Sequence, residues 1–179
     1  IGVDRGLNPA ERLTTEAAGV QVLFDGIAAP VMQVSPWTIY AVVPDSVRGK
    51  SSSSVQYTYG GAASNAVLAE VRASSLGLLP VDAASGRVRA NARNEDGSLN
   101  STGNPAAKGS MVTLFFTGVG ERPPSTLWLT GEEVSPVAGF VAGFYQITGR
   151  VPAAAPMGER AIYISDGLSV SPALTISIQ

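Results

Sequence analysis

The sequence predicts an all-β chain folded as two tandem β-sandwich domains, and three observations carry that prediction. The first is an internal duplication. Residues 20–71 can be laid over residues 127–178, with Pro30 on Pro136, the Val43-Pro44 step on Val151-Pro152, Gly49 on Gly158, Tyr57 on Tyr163 and Gly61 on Gly167. The offset is 106 positions at Pro30 and 109 at Gly49, and it changes only where connections are expected. Insertions confined to loops are what two copies of one fold would show. The second is punctuation: short runs of Val, Ile, Tyr, Phe and Thr, bounded by Gly, Pro, Asn or Asp, recur about every ten residues. The third is the near absence of helical patterning. Only residues 9–13 favour a helix, and they are too few to form one alone.

The elements follow in order. The first copy has strands at 20–24, 30–34, 38–43, 54–59 and 66–71, with the serine run 51–54 absorbing a change of offset. In 38–43, Ile39, Ala41 and Val43 share one face; Ile147, Gly149 and Val151 share the matching face of the second copy. Residues 72–108 lie between the copies and read as a linker followed by a hairpin. Its strands are 86–93 and 98–100, and its turn is Asp96-Gly97, whose glycine supplies the positive φ that such turns need. The second copy has strands at 111–117, 126–130, 137–141, 145–151, 160–165 and 173–178. The domains are therefore 1–72 and 73–179, the second preceded by the hairpin as an insertion. Tyr57 and Tyr163 are expected to face the core with their hydroxyls reaching a backbone partner; the alternative is a paired ligand platform. If Gly6 plays the part of Gly120, the opening strand supplied by 109–120 in copy two would start before Ile1 in copy one. The first domain is thus expected to be N-terminally truncated, with an edge left to be covered.

Composition narrows the chemistry. The chain has 179 residues, a net charge of −2, a pI near 5.1, and neither cysteine nor histidine. Disulfides, thiolate or histidine nucleophiles and Cys-rich zinc sites are excluded. Without a basic stripe, nucleic-acid binding is not expected. No apolar run approaches the ~20 residues of a membrane helix.

Several motifs carry a resemblance. The run Gly109-Ser110-Met111-Val112-Thr113-Leu114-Phe115-Phe116-Thr117-Gly118-Val119-Gly120 is a glycine-bounded apolar strand. Val20-Gln21-Val22-Leu23-Phe24-Asp25-Gly26 is a valine-rich strand with an Asp-Gly end, followed by a strand ending Val-Pro. Each copy resembles the IPT/TIG branch of immunoglobulin-like domains. With Asn94-Glu95-Asp96-Gly97-Ser98-Leu99-Asn100-Ser101 and Asn104-Pro105-Ala106-Ala107-Lys108 added, the whole chain is similar to the uncharacterised Solibacter-type C-terminal family of exported acidobacterial proteins. The resemblance implies tandem immunoglobulin-like sandwiches, an extracellular or cell-surface setting and a non-catalytic structural or interaction module. Partners would be other domains of the parent protein, or protein or glycan at the cell surface. It brings no catalytic residues and no cofactor.

Few residues compete for a chemical role. Glu132-Glu133 read as a solvated turn rather than an acid pair across a cleft. Asn94, Asp96, Ser98 and Asn100 alternate oxygen-bearing side chains around Gly97, like the start of a calcium loop. The glycine comes too early, however, and no terminal glutamate follows. Trp128 aligns with Val22 and is expected in the core. Trp37, beside Tyr40 at a loop end, could either close the sandwich or stack on a sugar ring. That second option makes a carbohydrate-binding module the alternative function.

Overall fold

A computed structural model of the chain describes residues 3–4, 13–81, 89–138, 140 and 143–179. Among these residues there is no α-helix, only a 3-10 turn at Asp45–Val47. The chain divides into two compact units, Ile1–Ala73 with Ala138–Ala142, and Ser74–Val137 with Gly143–Gln179.

The first unit holds β1 (Val3–Asp4), β2 (Val20–Phe24), β3 (Ile27–Ala29), β4 (Val31–Val34), β5 (Ile39–Ala41), β6 (Ser52–Tyr59), β7 (Ala62–Ala63) and β8 (Val67–Glu70). They form two sheets, β1-β4-β5 and β3-β2-β6-β7, with β8 also on β6. Local chemistry fixes the first turns. Asp25 and Gly26 have φ of 49° and 82° between the paired Phe24 and Ile27, which is the two-residue hairpin turn that Asp-Gly favours. The core is small: Ala17, Val20, Val31 and Val34, with Ile39 packed against them.

The second unit holds β9 (Gly77–Leu78), β10 (Pro80–Val81), β11 (Arg89–Ala90), β12 (Ala92–Asn94), β13 (Met111–Thr117), β14 (Thr130–Pro136), β15 (Phe144–Arg150), β16 (Gly158–Ile162) and β17 (Leu174–Ile178). One sheet runs β12-β13-β15-β14 with β9 on β13, the other β10-β11-β17-β16. Strict alternation in β13 buries Val112, Leu114 and Phe116. They join Ile147, Val151, Ile162, Ile164, Leu174, Ile176 and Ile178 in one continuous core.

The duplication has a local counterpart in both units. After each Val-Pro step the chain makes the same turn, Val47 N–H to Pro44 O and Ala155 N–H to Pro152 O, and buries the donor residue. Gly49 and Gly158 follow, both at positive φ. Ladder registers refine the alignment: Val55 pairs with Val67 as Ile162 pairs with Leu174, an offset of 107. Tyr57 therefore corresponds to Ile164 rather than to Tyr163, because a slip of one residue exchanges the faces of a strand.

Neither tyrosine is a core residue: Tyr163 is 40% exposed on the face opposite Ile162 and Ile164, and Tyr57, although on the face that is buried in the second unit, is 47% exposed. Val43 does not share the burial of Val151 either; it is 58% exposed. The strand expected at 54–59 begins two residues earlier, so Ser52 and Ser53 of the serine run belong to β6. No strand occupies 126–129, since Leu127 has a φ of 60° that cannot continue an extended run. Instead β14 begins at Thr130 and continues through Glu132 and Glu133. The hairpin turn at Gly97 has φ 81° and is closed by Asn94 N–H to Ser98 O, but its return is a single bridge, Arg93 to Leu99. Its leading residues 86–88, and most of the helix-favouring stretch 9–13, fall outside the described residues.

Candidate functional site

Among the described residues of the first unit an open groove of about 770 Å³ could hold a ligand. Ala18, Val20, Val34, Ser35, Pro36, Trp37, Thr38, Ile39, Tyr57 and Tyr59 line it. A second groove of about 410 Å³ shares Ile39 and Tyr57 and continues past Ala41, Phe24, Val55 and Val67. Backbone geometry explains the floor. On β2 and β6, Val20 pairs with Tyr59, Val22 with Tyr57 and Phe24 with Val55, so all six side chains project from one face. Val20 and Val22 are buried there, whereas Tyr59 is 64% exposed.

Trp37 stands at one end of the groove, 93% exposed. The β4–β5 hairpin holds it there. Ser35 Oγ accepts N–H bonds from Thr38 at 2.9 Å and Trp37 at 3.4 Å, and donates to the Thr38 carbonyl at 3.0 Å. Pro36 sets the φ at which the turn begins. Trp37 thus does not close the sandwich; it projects from a clamped tip. Tyr40 is exposed but does not line either groove, because it alternates with Ile39 and Ala41, which do. Trp37 and Tyr40 are therefore not brought together on one platform; Tyr57 and Tyr59 are the aromatics that share the groove with Trp37. The sequence assigns Tyr57 to an inward face and makes no assignment for Tyr59, and nothing local in it says that the face is only half covered.

Among the described residues no Asp, Glu, Lys or Arg lines either groove. An acid with a shifted titration lies in the turn between β2 and β3. Asp25 is held down at about pKa 2, first by the Lys50 ammonium on Oδ2 at 2.8 Å, then by the Ser54 amide on Oδ1 at 2.7 Å and the Ser53 hydroxyl.

The other predicted positions are structural. Asn94 Oδ1 accepts from the Asn100 amide, Asp96 Oδ1 accepts from Ser98 N–H, and Asn100 Oδ1 accepts from Ser177 N–H at 2.7 Å. Ser98 Oγ both donates to Asp96 and accepts from Asn104. Oxygens proposed for calcium are thus occupied by turn and strand contacts, and hydrogen bonding to Ser98 holds Asp96 below the usual carboxylate range. Among the described residues no group of three or more acidic side chains could hold a metal ion. Glu132 and Glu133 are not a solvated turn. Both lie in β14, where a bulge between Thr130 and Glu133 half-buries Glu132. Its carboxylate accepts from Ser125 Oγ at 2.5 Å, from Thr126 N–H at 2.9 Å and from Thr126 Oγ1, tying down the preceding loop. Trp128 is half-buried against the second core.

Comparison with family models, with curated proteins and with solved structures returned no match. Among the described residues no helix is long and apolar enough to cross a membrane.

Proposed function

We propose that the chain is a non-catalytic structural and interaction module, two tandem immunoglobulin-like sandwiches of the IPT/TIG kind in the C-terminal part of an exported, surface-associated protein. The observation that carries the interaction role is the groove of the first unit. It is aromatic, uncharged and open, and contiguous exposed apolar surface of this kind is what partner-binding faces present. The carboxylates of Glu132 and Asp96, which the sequence offered for acid or metal chemistry, serve as acceptors that fix loops. Catalysis would need a free, positioned acid or base.

A carbohydrate ligand is the second reading, favoured by the exposed Trp37, Tyr57 and Tyr59 at one groove, since flat aromatic faces suit sugar rings. The test immobilises the full chain and presents it to a neutral glycan panel and to extended peptides, with Trp37→Ala alongside. Saturable binding weakened by Trp37→Ala supports the interaction role, and the panel that binds gives the class. Hydrolysis of any panel member would overturn the proposal, as would a complete absence of binding.

A further inference from the structure

In the second unit β15 is covered on both edges. β14 pairs with one, and β13 pairs with the other over its full length, from Met111 opposite Arg150 to Thr117 opposite Phe144. Val112, Leu114 and Phe116 of β13 reach into the core that contains Ile162 and Ile164. The matching strand of the first unit is β5, which likewise pairs with the strand before it and runs into a Val-Pro step. β4 takes one edge of β5. Among the described residues no strand pairs with the other, because β1 lies beyond β4.

Burial records the difference. Ile147, Gly149 and Val151 are buried, while Ile39 and Ala41 are half-buried and Val43 is exposed. Across the sandwich Ile162 and Ile164 are buried, while Val55 is half-buried and Tyr57 exposed. Both grooves run along this line, with Ile39 and Ala41 on one side and Val55, Tyr57 and Tyr59 on the other. Among the described residues the first unit is thus open where the second holds β13.

We infer that this groove takes an extended strand of a partner polypeptide, apolar at every second residue. The strand pairs antiparallel with the free edge of β5 and lays its apolar side chains over Val55, Tyr57 and Tyr59. The inference rests on the interaction reading and names its ligand. Three alternate side chains require about five residues, which matches an ordinary strand. Main-chain bonds to β5 supply affinity, and the pockets at every second position supply selectivity. With no charged side chain among the described lining residues, the inserted side chains should be neutral. A sugar stacked on Trp37 would leave the peptide groups of β5 in water and the floor of Phe24, Val55 and Val67 uncovered.

The probe is a synthetic peptide copying residues 110–118, with lysines at both ends for solubility. Its control has Ser in place of the residues matching Val112, Leu114 and Phe116. Added to the full chain, the first peptide should bind saturably and slow amide exchange at Ile39–Ala41 by about tenfold. The control should bind at least about tenfold more weakly. Tyr57→Ser and Tyr59→Ser should weaken the first peptide, and because both side chains are exposed the fold should persist. Protection confined to Phe144–Arg150 would overturn the inference, since the peptide would then be replacing β13. A groove ligand that responds to Trp37→Ala without protecting β5 would sink the strand and leave the interaction module standing. If nothing binds the groove, both fail.

Discussion

Gly118 follows β13 with a φ of 81°, and a Cβ there would lie 1.8 Å from the carbonyl oxygen of Ser75. The same glycine accepts the Ser75 amide at 2.9 Å, so backbone faces backbone and neither side can give way. Gly118→Ala should destabilise the second unit by about 3–5 kcal/mol, the range of backbone strain compounded by overlap. A melting shift of less than 1 °C would refute that. Asn100 acts differently. Its buried carboxamide donates to Ser177 O and accepts from Ser177 N–H, doing for β17 what a neighbouring strand would do. Asn100→Ala leaves the buried Ser177 N–H unpaired, while the Ser177 carbonyl keeps the Ala106 N–H, and should cost about 1–3 kcal/mol by denaturant titration. Asn100→Asp, which keeps the shape but loses the donor, should recover only part of the loss. The oxygen-rich run 94–100 was legible as turn chemistry because its contacts with Asp96, Gly97 and Ser98 are local. The bond to Ser177 spans 77 residues, and no local pattern announces it.

Among elements, the turn between β2 and β3 has a titratable clamp. The Asp25 carboxylate ties that turn to β6 through Ser54 and to Lys50. Its folded pKa, about 2, lies below the ordinary 3.8. A depressed acid contributes stability that is present above the unfolded value and lost as pH falls through the folded one. The clamp is therefore complete above about pH 4 and weakens as pH falls from there towards 2. Asp25→Asn keeps a residue that tolerates positive φ but removes the titration. Melting temperatures at pH 6 and pH 2.5 should differ less for the variant than for the parent, and equal differences would assign the acid sensitivity elsewhere. Runs of β-branched and aromatic residues bounded by turn residues made β2, β13 and β17 readable, and Asp-Gly made two turns readable. The β14 bulge that withdraws Glu132 depends on Ser125 and Thr126 folding back on it. Two adjacent glutamates looked like a solvated turn because that return is tertiary.

At the scale of the whole molecule, the sequence shows a repeat, and alternation shows which side chains of a strand share a face. Neither shows whether a face is covered. Tyr57 therefore read as a core residue, although the strand that covers Ile164 in the second unit has no described counterpart beside β5. Trp37 was legible as a loop-end aromatic, but its groove partners were not. The same asymmetry sets the order of unfolding. The first unit's core rests on Ala17, Val20, Val31 and Val34. The second buries Val112, Leu114, Phe116, Ile147, Ile162, Ile164 and Ile176, among others, in one cluster. Stabilisation from apolar burial scales with the area removed from water, so the first unit should open at lower denaturant. In a Trp37→Phe chain the remaining tryptophan, Trp128, packs against the second core and reports it alone. Far-UV dichroism should then fall in two steps, the earlier one without a change in Trp128 emission. Amides of β2 and β6 should exchange before those of β13 and β15. Saturating the groove with the 110–118 peptide should move only the earlier step, because a ligand stabilises the unit that binds it. A single step at which dichroism and Trp128 emission change together would mean that the two cores share one cooperative transition despite their difference in size.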